Sequence, residues 1–176
     1  MDTKRPENAT SLLCSMCEDR SMPNIAFIVN PVDGERVITS FTKAFLGKLF
    51  EFNFTAIDAS KDPSPAAAAI NLLKPATPAP GLFEFRKIPI RIIGMIHGEM
   101  LSPDDQRRIF EAIPAAIHEF RFVIAFDDVS RILPALKDKF AVIDVKNCSP
   151  QMSDAAKWIS GFNAKVKEMS LGIGSG

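Results

Sequence analysis

The chain alternates runs of apolar residues with segments in which apolar and polar residues mix. Five runs are mostly apolar, and they lie at residues 24–29, 54–58, 90–96, 121–126 and 140–145. Continuous apolar runs of this length are typical of strands buried on both faces of a parallel sheet. Because helical patterns separate them, the sequence predicts a doubly wound α/β fold with five parallel strands.

Helix signals stand between these runs. Ser102 and Pro103 predict an N-cap and a first helical residue, followed by two acids at the positive end of the helix dipole. Residues 127–130 are expected to cap a helix over 131–139. The remaining expected segments are a turn over 30–37, helices over 37–50, 65–73 and 153–169, and a proline-rich loop over 74–81.

Composition narrows the class of protein. With 176 residues, 47% of them hydrophobic, the chain suits one α/β domain with a full core. The 21 basic and 21 acidic residues balance, so overall charge makes no case for binding nucleic acid or membranes. No apolar run reaches about 18 residues and no signal-peptide pattern is present, which favours a soluble intracellular protein.

Cysteine and histidine usage argues against a metal site. Cys14 and Cys17 form a lone C-x-x-C, and Cys148 is distant in sequence. Structural zinc needs about four ligands, and the two histidines, His97 and His118, lie far from this motif. We therefore expect ordinary thiols and no bound metal.

Residues 30–37 occupy the place of a phosphate-binding loop, between a strand and a helix. The P-loop pattern needs two glycines, a lysine and a hydroxyl residue that binds magnesium. Laid over the turn, it puts Asn30 at the first glycine, Glu35 at the second, Arg36 at the lysine and Val37 at the hydroxyl, with Gly34 one position off the pattern. A carboxylate would repel phosphate and valine cannot hold magnesium, so we expect a structural turn without nucleotide.

The end of the central strand is altered in a similar way. A P-loop ATPase needs an acid there to hold magnesium and a neighbouring acid to orient water. Ile96 and His97 stand at those positions, and Glu99 is the nearest carboxylate. His97 has no identifiable nucleophile beside it, and a histidine on the surface or at a cap is the simpler interpretation for it and for His118.

Four segments nonetheless resemble the AAA+ core of replication factor C small subunits, the clamp-loader ATPases related to the bacterial delta-prime and gamma subunits. Residues 22–27 resemble the family's "LPNLLF", and 54–62 resemble "FLELNASDERG". Residues 101–106 resemble "LSPDAQ", and 121–132 resemble "TRFVLACNDVSKI". The resemblance covers about residues 4–145, and the ordered set is more specific than any one motif.

The resemblance implies an AAA+ sheet in the spatial order 5-1-4-3-2, with helices on both faces. The chain is then divided into an N-terminal segment over 1–22, an AAA+-like core over 23–147, and a C-terminal region over 148–176 that begins like the family's lid. The N-terminal segment is expected to be polar and irregular, with a possible short helix near 11–19. Asp127 stands at the family's sensor asparagine, and Lys139 stands at its arginine finger. Lysine keeps the charge but lacks the planar fork of arginine. The rest of the lid and the collar domain have no counterpart.

Three functions stay open from the sequence. The leading one is a non-catalytic clamp-loader-like subunit or interaction module in DNA replication or repair, with other clamp-loader subunits or a sliding clamp as partners. Arg131 and Lys139 would then face a neighbouring subunit, and Arg107 and Arg108 would face DNA within an assembly. Its location would be nuclear in a eukaryote and cytoplasmic otherwise.

The second function is a weak ATP-binding protein or ATPase that uses Arg36, His97 and Glu99 in substitute roles. Only this one would need ATP and magnesium as cofactors. The third is an unrelated α/β domain that binds a small molecule at the strand ends, since fold resemblance alone does not decide function.

Overall fold

The computed structural model describes residues 12–13, 15–17, 21–73, 90–117 and 119–146. Its strands are β1 (Asn24–Ile28), β2 (Phe54–Asp58), β3 (Arg91–Ile96), β4 (Phe120–Phe126) and β5 (Phe140–Asp144). Its helices are α1 (Gly34–Leu46), α2 (Phe50–Asn53), α3 (Pro65–Leu72), α4 (Pro103–Ala116) and α5 (Pro134–Lys137). Short 3₁₀ turns lie at Pro31–Asp33, Gly47–Leu49, Gly98–Met100 and Val129–Arg131.

The five strands form one sheet, and every pairing in it is parallel. In particular, β3 pairs with β4 in parallel, with Met95 opposite Ile124. The predicted five-stranded parallel sheet is therefore confirmed. The strand order is β2-β3-β4-β1-β5. A strand order can be read from either edge, and from the β5 edge this one runs 5-1-4-3-2.

Helices cover both faces of the sheet. On one face, α1 buries Val37, Phe41 and Phe45 in an apolar cluster with strand residues such as Phe27 and Val123. On the other face, α3, α4 and α5 pack in a second cluster, to which α4 contributes Ile109 and Ile113. The three central strands are buried almost throughout, as expected for strands with helices on both sides.

The core begins before residue 23. Residues 12–13 and 15–17 are helical, and Leu13 and Met16 are buried in the same cluster as α1. Met22 is also buried, and its carbonyl accepts a hydrogen bond from Arg121 Nε at 2.8 Å. Part of the segment expected to be polar and irregular thus belongs to the packed domain.

The helix expected over 37–50 is displaced. It begins at Gly34 and ends at Leu46, so the predicted eight-residue turn is wrong. Pro31 starts a 3₁₀ turn, Asp33 N–H closes it on Asn30 O at 2.9 Å, and helical geometry continues directly from there. The helix ends at Gly47, whose φ of 56° suits a residue without a side chain.

The helix expected over 131–139 is also wrong. Val129–Arg131 forms a 3₁₀ turn, and only Pro134–Lys137 is α-helical. A proline disfavours helical geometry in the residue before it, and Leu133 is extended, with φ −62° and ψ 141°. Pro134 is therefore the first residue of a short helix and not the middle of a long one.

Some predictions lie outside the described residues. They are the loop over 74–81, the helix over 153–169, and the positions Cys14, His118 and Cys148. Cys17 is half-buried against the apolar cluster of α1. Within the ranges that are described, no helix combines the length and the apolar character needed to cross a bilayer.

Candidate functional site

The carboxyl ends of the parallel strands meet at one edge of the sheet, where α/β folds place their ligands. The turns after β1, β3 and β4 lie there, as do Asp58 at the end of β2 and Lys146 just after β5. The polar side chains at this edge include Asp33, Arg36, Asp58, His97, Glu99, Asp127 and Lys146. The fold thus brings together Arg36, His97 and Asp127, three of the positions predicted from sequence.

At the start of α1, an internal carboxylate stands where a phosphate would bind. Asp33 is the N-cap residue and is only 7% exposed. Its Oδ1 lies 3.9 Å from Arg36 Nη1, and Glu35 adds a second acid in the first turn. Negative charge at this end is favourable to the helix dipole, but it repels an external anion. The chain passes from the 3₁₀ turn directly into α1. It therefore forms no open loop whose backbone N–H groups could surround a phosphate.

Three further residues predicted at the altered nucleotide site are packed in the core: Val37, Gly34 and Ile96. Val37 is fully buried in the α1 cluster. Gly34 packs so closely on the sheet that an added Cβ would lie 3.2 Å from Ala125 Cβ and 3.7 Å from Ile96 Cγ2. Ile96, at the expected magnesium position, is 8% exposed and belongs to the same cluster. These residues face the core and present no ligand atom to the edge.

His97 leaves β3 in a left-handed backbone conformation, with φ 57° and ψ 48°. It is the one non-glycine residue with positive φ in the described part of the chain. Its Nδ1 lies 3.1 Å from Glu99 Oε1, and the Glu99 side chain is only 14% exposed. The next residue, Gly98, approaches β4 so closely that a Cβ would sit 2.7 Å from Ala125 O. This close approach forces the sharp turn and sets the His97–Glu99 pair.

The His97–Glu99 pair has the chemistry needed to exchange a proton or to bind a polar ligand. A carboxylate that bonds one ring nitrogen of a histidine orients the ring and leaves the other nitrogen to exchange a proton or bind a polar ligand. Left-handed non-glycine residues also occur disproportionately at ligand sites. His97 and Glu99 are therefore the best-organised polar pair at this edge.

Asp58 lies at the same edge, at the end of β2. Its Oδ1 accepts hydrogen bonds from Ser60 Oγ at 2.5 Å and from Ser60 N–H at 2.9 Å. The hydroxyl bond is the main cause that lowers the pKa of Asp58 below its usual 3.8, and the nearby charges of His97 and Lys61 lower it further.

Asp127, which the resemblance matches to the family's sensor asparagine, has charged neighbours on two sides. Its Oδ1 is buried without a hydrogen-bond partner among the described residues, and Arg131 Nε lies 3.6 Å away, beyond hydrogen-bond distance. Its backbone carbonyl accepts a bond from Lys146 Nζ at 3.1 Å. The next residue, Asp128, accepts Ser130 N–H at 2.8 Å, and this bond lowers the pKa of Asp128.

The basic residues predicted to meet partners lie on the surface. Arg131 has 57% of its side chain exposed, and exposed Lys139 places its ammonium 6.0 Å from the centre of the Phe110 ring. Arg107 and Arg108 are exposed on α4, with Arg107 bonded to Asp104 at 2.9 Å. All four can be reached by another molecule.

Two important groups were missed from sequence. Asp33 was passed over because the helix was expected to begin at residue 37, although an acid before a glycine and a glutamate is a helix-start signal. Gln106 is 3% exposed, and its amide bonds Arg131 O and Leu133 N–H, each at 2.8 Å. No local pattern distinguishes it from a solvent-exposed glutamine.

The chain matches no family model, and no curated protein matches it in sequence. Within the described residues, no three histidine, cysteine or acidic side chains are grouped so as to hold a metal ion. The clamp-loader resemblance consequently rests on the quoted segments alone.

Proposed function

We propose that this chain is a non-catalytic, clamp-loader-like AAA+ domain that serves as a subunit or interaction module in DNA replication or repair. The proposal that the domain is non-catalytic rests on one observation. The residues at the magnesium-binding positions, Val37 and Ile96, are buried in one apolar cluster, and the Asp33 carboxylate stands at the positive end of α1. Neither Val37 nor Ile96 offers a magnesium ligand, which supports the proposal that the domain does not hydrolyse ATP.

The strand order supports the AAA+ part. The sheet runs 5-1-4-3-2 from the β5 edge, the order implied by the resemblance of residues 22–27, 54–62, 101–106 and 121–132. Those segments supply strand residues and helix caps. Ser102, for instance, accepts Asp105 N–H at 3.1 Å and so starts α4 as the sequence predicts. The resemblance thus covers residues that form the fold, whereas the catalytic residues of the family are absent. We expect this pattern in a domain whose function depends on its surface contacts.

The residues proposed to contact a neighbouring subunit have exposed side chains. Arg131 and Lys139 lie on the connections either side of α5, and both residues are exposed. In a clamp-loader-like assembly they would contact the nucleotide site of a neighbouring subunit, where either cation can approach phosphate. Arg107 and Arg108 would lie near DNA only within such an assembly.

The test is capture of partners from the native source, with the full chain as bait and the recovered proteins identified by mass spectrometry. Clamp-loader subunits or a sliding clamp should be recovered with the wild type and lost with Arg131→Glu plus Lys139→Glu. A matched control, Lys61→Glu, reverses an exposed charge after β2 and should leave recovery unchanged. Recovery of neither protein class, or equal recovery with all variants, would contradict the proposal.

One observation favours a second candidate, a weak nucleotide-binding protein. The His97–Glu99 pair is held in a strained turn at the edge where nucleotides bind in such folds, and Arg36 is half exposed nearby, with 59% of its side chain accessible. Saturable binding of ATP that is lost in both Arg36→Ala and His97→Ala would establish this candidate in place of the first.

A further inference from the structure

Strand β2 forms one edge of the sheet. Its only neighbour among the described strands is β3, and the two pair in parallel over all five residues of β2 without a bulge. Thr55 and Ala56, in the middle of β2, are exposed, whereas the three central strands are buried almost throughout. The strand contains no lysine or proline, the residues that commonly protect a sheet edge from pairing. The middle of β2 is therefore open to a partner.

The pairing with β3 determines which backbone groups of β2 face outward. Ala59 N–H donates to Ile96 O at 3.0 Å, directly after the last paired residue of β2. In a parallel strand the N–H and C=O of one residue point to the same side, and consecutive residues alternate between the two sides. The residues whose N–H and C=O point away from β3 are therefore Phe54, Ala56 and Asp58.

Both ends of this outward row are bonded within the chain. Phe54 N–H donates to Phe50 O at the end of α2. Asp58 O accepts Lys61 N–H at 3.1 Å and Asp62 N–H at 3.0 Å. The outward groups that have no backbone partner among the described residues are Phe54 O, Ala56 N–H, Ala56 O and Asp58 N–H.

This set of free groups is complementary to itself. If a second copy approaches in the antiparallel direction with Ala56 opposite Ala56, the two alanines exchange both of their N–H···O bonds. Two residues farther along, Phe54 O of each copy meets Asp58 N–H of the other. The groups that would complete those end pairs, Phe54 N–H and Asp58 O, are the ones already bonded within the chain. The pairing therefore uses every free group and leaves none without a partner.

The charges at the two ends of β2 favour the same direction. Glu51 precedes the strand and Lys61 follows it, and both are exposed. Antiparallel pairing of two copies brings Glu51 of one toward Lys61 of the other, whereas parallel pairing would place like charges side by side. The small, exposed side chain of Ala56 at the centre permits the two strands to approach.

We propose that β2 is a dimerisation edge, at which two copies of this chain pair antiparallel about Ala56 and join their five-stranded sheets into one sheet of ten strands. An interface made by one strand from each copy is small, so the dimer is in a concentration-dependent equilibrium with the monomer. An extended segment of a different protein could use the same backbone groups, but it would leave this chain monomeric on its own. The inference rests on β2 and does not depend on the proposed function.

Sedimentation equilibrium of the full chain under reducing conditions measures this association. The mass should rise with concentration from 19.3 kDa toward twice that value. Ala56→Lys places two positive charges opposite each other, and Ala56→Pro removes an N–H that faces away from β3, a position where a strand tolerates proline. Each variant should stay at the mass of one chain. The matched control, Val32→Lys, adds a lysine at an exposed apolar residue outside β2 and should dimerise like the wild type.

A cross-link tests the position of the pairing. In a chain with Cys14, Cys17 and Cys148 replaced by alanine, Ala56→Cys should form a disulfide-linked dimer on oxidation. The two Cα atoms of such a pair are about 5.5 Å apart, within the range of a disulfide. Phe52→Cys is the control, because this residue is 82% exposed but lies four positions from the centre of the pairing. It should remain monomeric.

Circular dichroism confirms that each variant is folded. A wild-type mass of one chain at every concentration up to the millimolar range would overturn the proposal, and would leave an extended segment of another protein as the occupant of this edge. So would a folded Ala56→Lys variant that dimerises like the wild type, or equal cross-linking through positions 52 and 56.

Discussion

At the residue scale, local hydrogen bonds lower the pKa of two carboxyl groups near the strand ends, Asp58 and Asp128. Asp58 accepts both the hydroxyl and the N–H of Ser60, and Asp128 accepts the N–H of Ser130. In each case these bonds lower the pKa of the carboxyl, outweighing the opposite effect of burial. A group whose pKa is lowered by folding stabilises the folded state above its unfolded pKa, and this stabilisation is lost as pH falls through the folded pKa.

The hydroxyl of Ser60 is expected to be the main source of the Asp58 shift. Ser60→Ala removes that donor and keeps the backbone donor, so the pKa of Asp58 should rise toward 3.8. NMR titration of the Asp58 carboxyl carbon measures it directly. Lys61→Ala is the matched control and should raise the pKa less, because its charge is the smallest cause. The stability difference between wild type and Ser60→Ala should be complete above about pH 4 and should shrink below it. An unchanged pKa in Ser60→Ala would contradict this account.

At the element scale, a few hydrogen bonds join helices and strands that are far apart in the chain. The local sequence pattern does not predict these contacts. Gln106 on α4 holds the connection between the Val129–Arg131 turn and α5 through Arg131 O and Leu133 N–H. Asn24 on β1 accepts Phe122 N–H of β4 at 2.8 Å. The position of the Arg131 side chain, a candidate interface group, therefore depends on a buried glutamine on another helix.

Gln106→Leu should destabilise the domain by about 2 kcal/mol, because it leaves a carbonyl and an N–H without partners in a partly buried region. Gln106→Glu should cost at least as much near neutral pH, because it buries a carboxylate and sets one of its oxygens against the Arg131 carbonyl, which needs a donor. The control is Arg107→Leu on the adjacent exposed position, for which a change within about 0.5 kcal/mol is expected. Urea unfolding followed by circular dichroism measures all three. Equal effects at positions 106 and 107 would show that the glutamine bridge does not hold this connection.

At the scale of the whole molecule, nucleotide hydrolysis would require several parts that act only together. The phosphate cradle, the magnesium acid and the water-orienting acid each depend on the others to position the substrate. On the proposed resemblance, the first corresponds to Glu35, Arg36 and Val37, the second to Ile96 and the third to His97. Val37 and Ile96 are also core residues, so restoring them changes packing as well as chemistry.

Wild-type protein is therefore expected to release no phosphate from ATP, and Arg36→Lys or His97→Glu alone should not change this. Calorimetry with magnesium and ATP should show no binding at sub-millimolar concentration. The combined variant with Arg36→Lys, Val37→Thr, Ile96→Asp and His97→Glu is the comparison, checked for folding by circular dichroism. Turnover by the wild type that Arg36→Ala abolishes, or a dissociation constant near ~1 μM, would refute the non-catalytic assignment.

The sequence by itself determined the elements whose signals are local. Apolar runs placed all five strands to within a residue or so, and Ser102 marked the start of α4. For the three central strands the apolar runs sufficed, because burial on both faces of a parallel strand favours an apolar residue at nearly every position. The expected strand order came from the resemblance and not from periodicity, since a hydrophobic pattern does not specify which strands become neighbours.

Only the tertiary structure decided what the strand ends and turns do. In the structure α1 begins at Gly34, and the helix before β5 spans only Pro134–Lys137. Both bounds differ from those that the sequence predicted. Asn24 and Phe122 are 98 positions apart in the chain yet share a hydrogen bond. Burial of Asp33 and the turn at His97 likewise follow from close packing on strands distant in sequence. Such contacts depend on which segments the sheet brings together, and that information is spread over the whole chain and is absent from any one stretch of it.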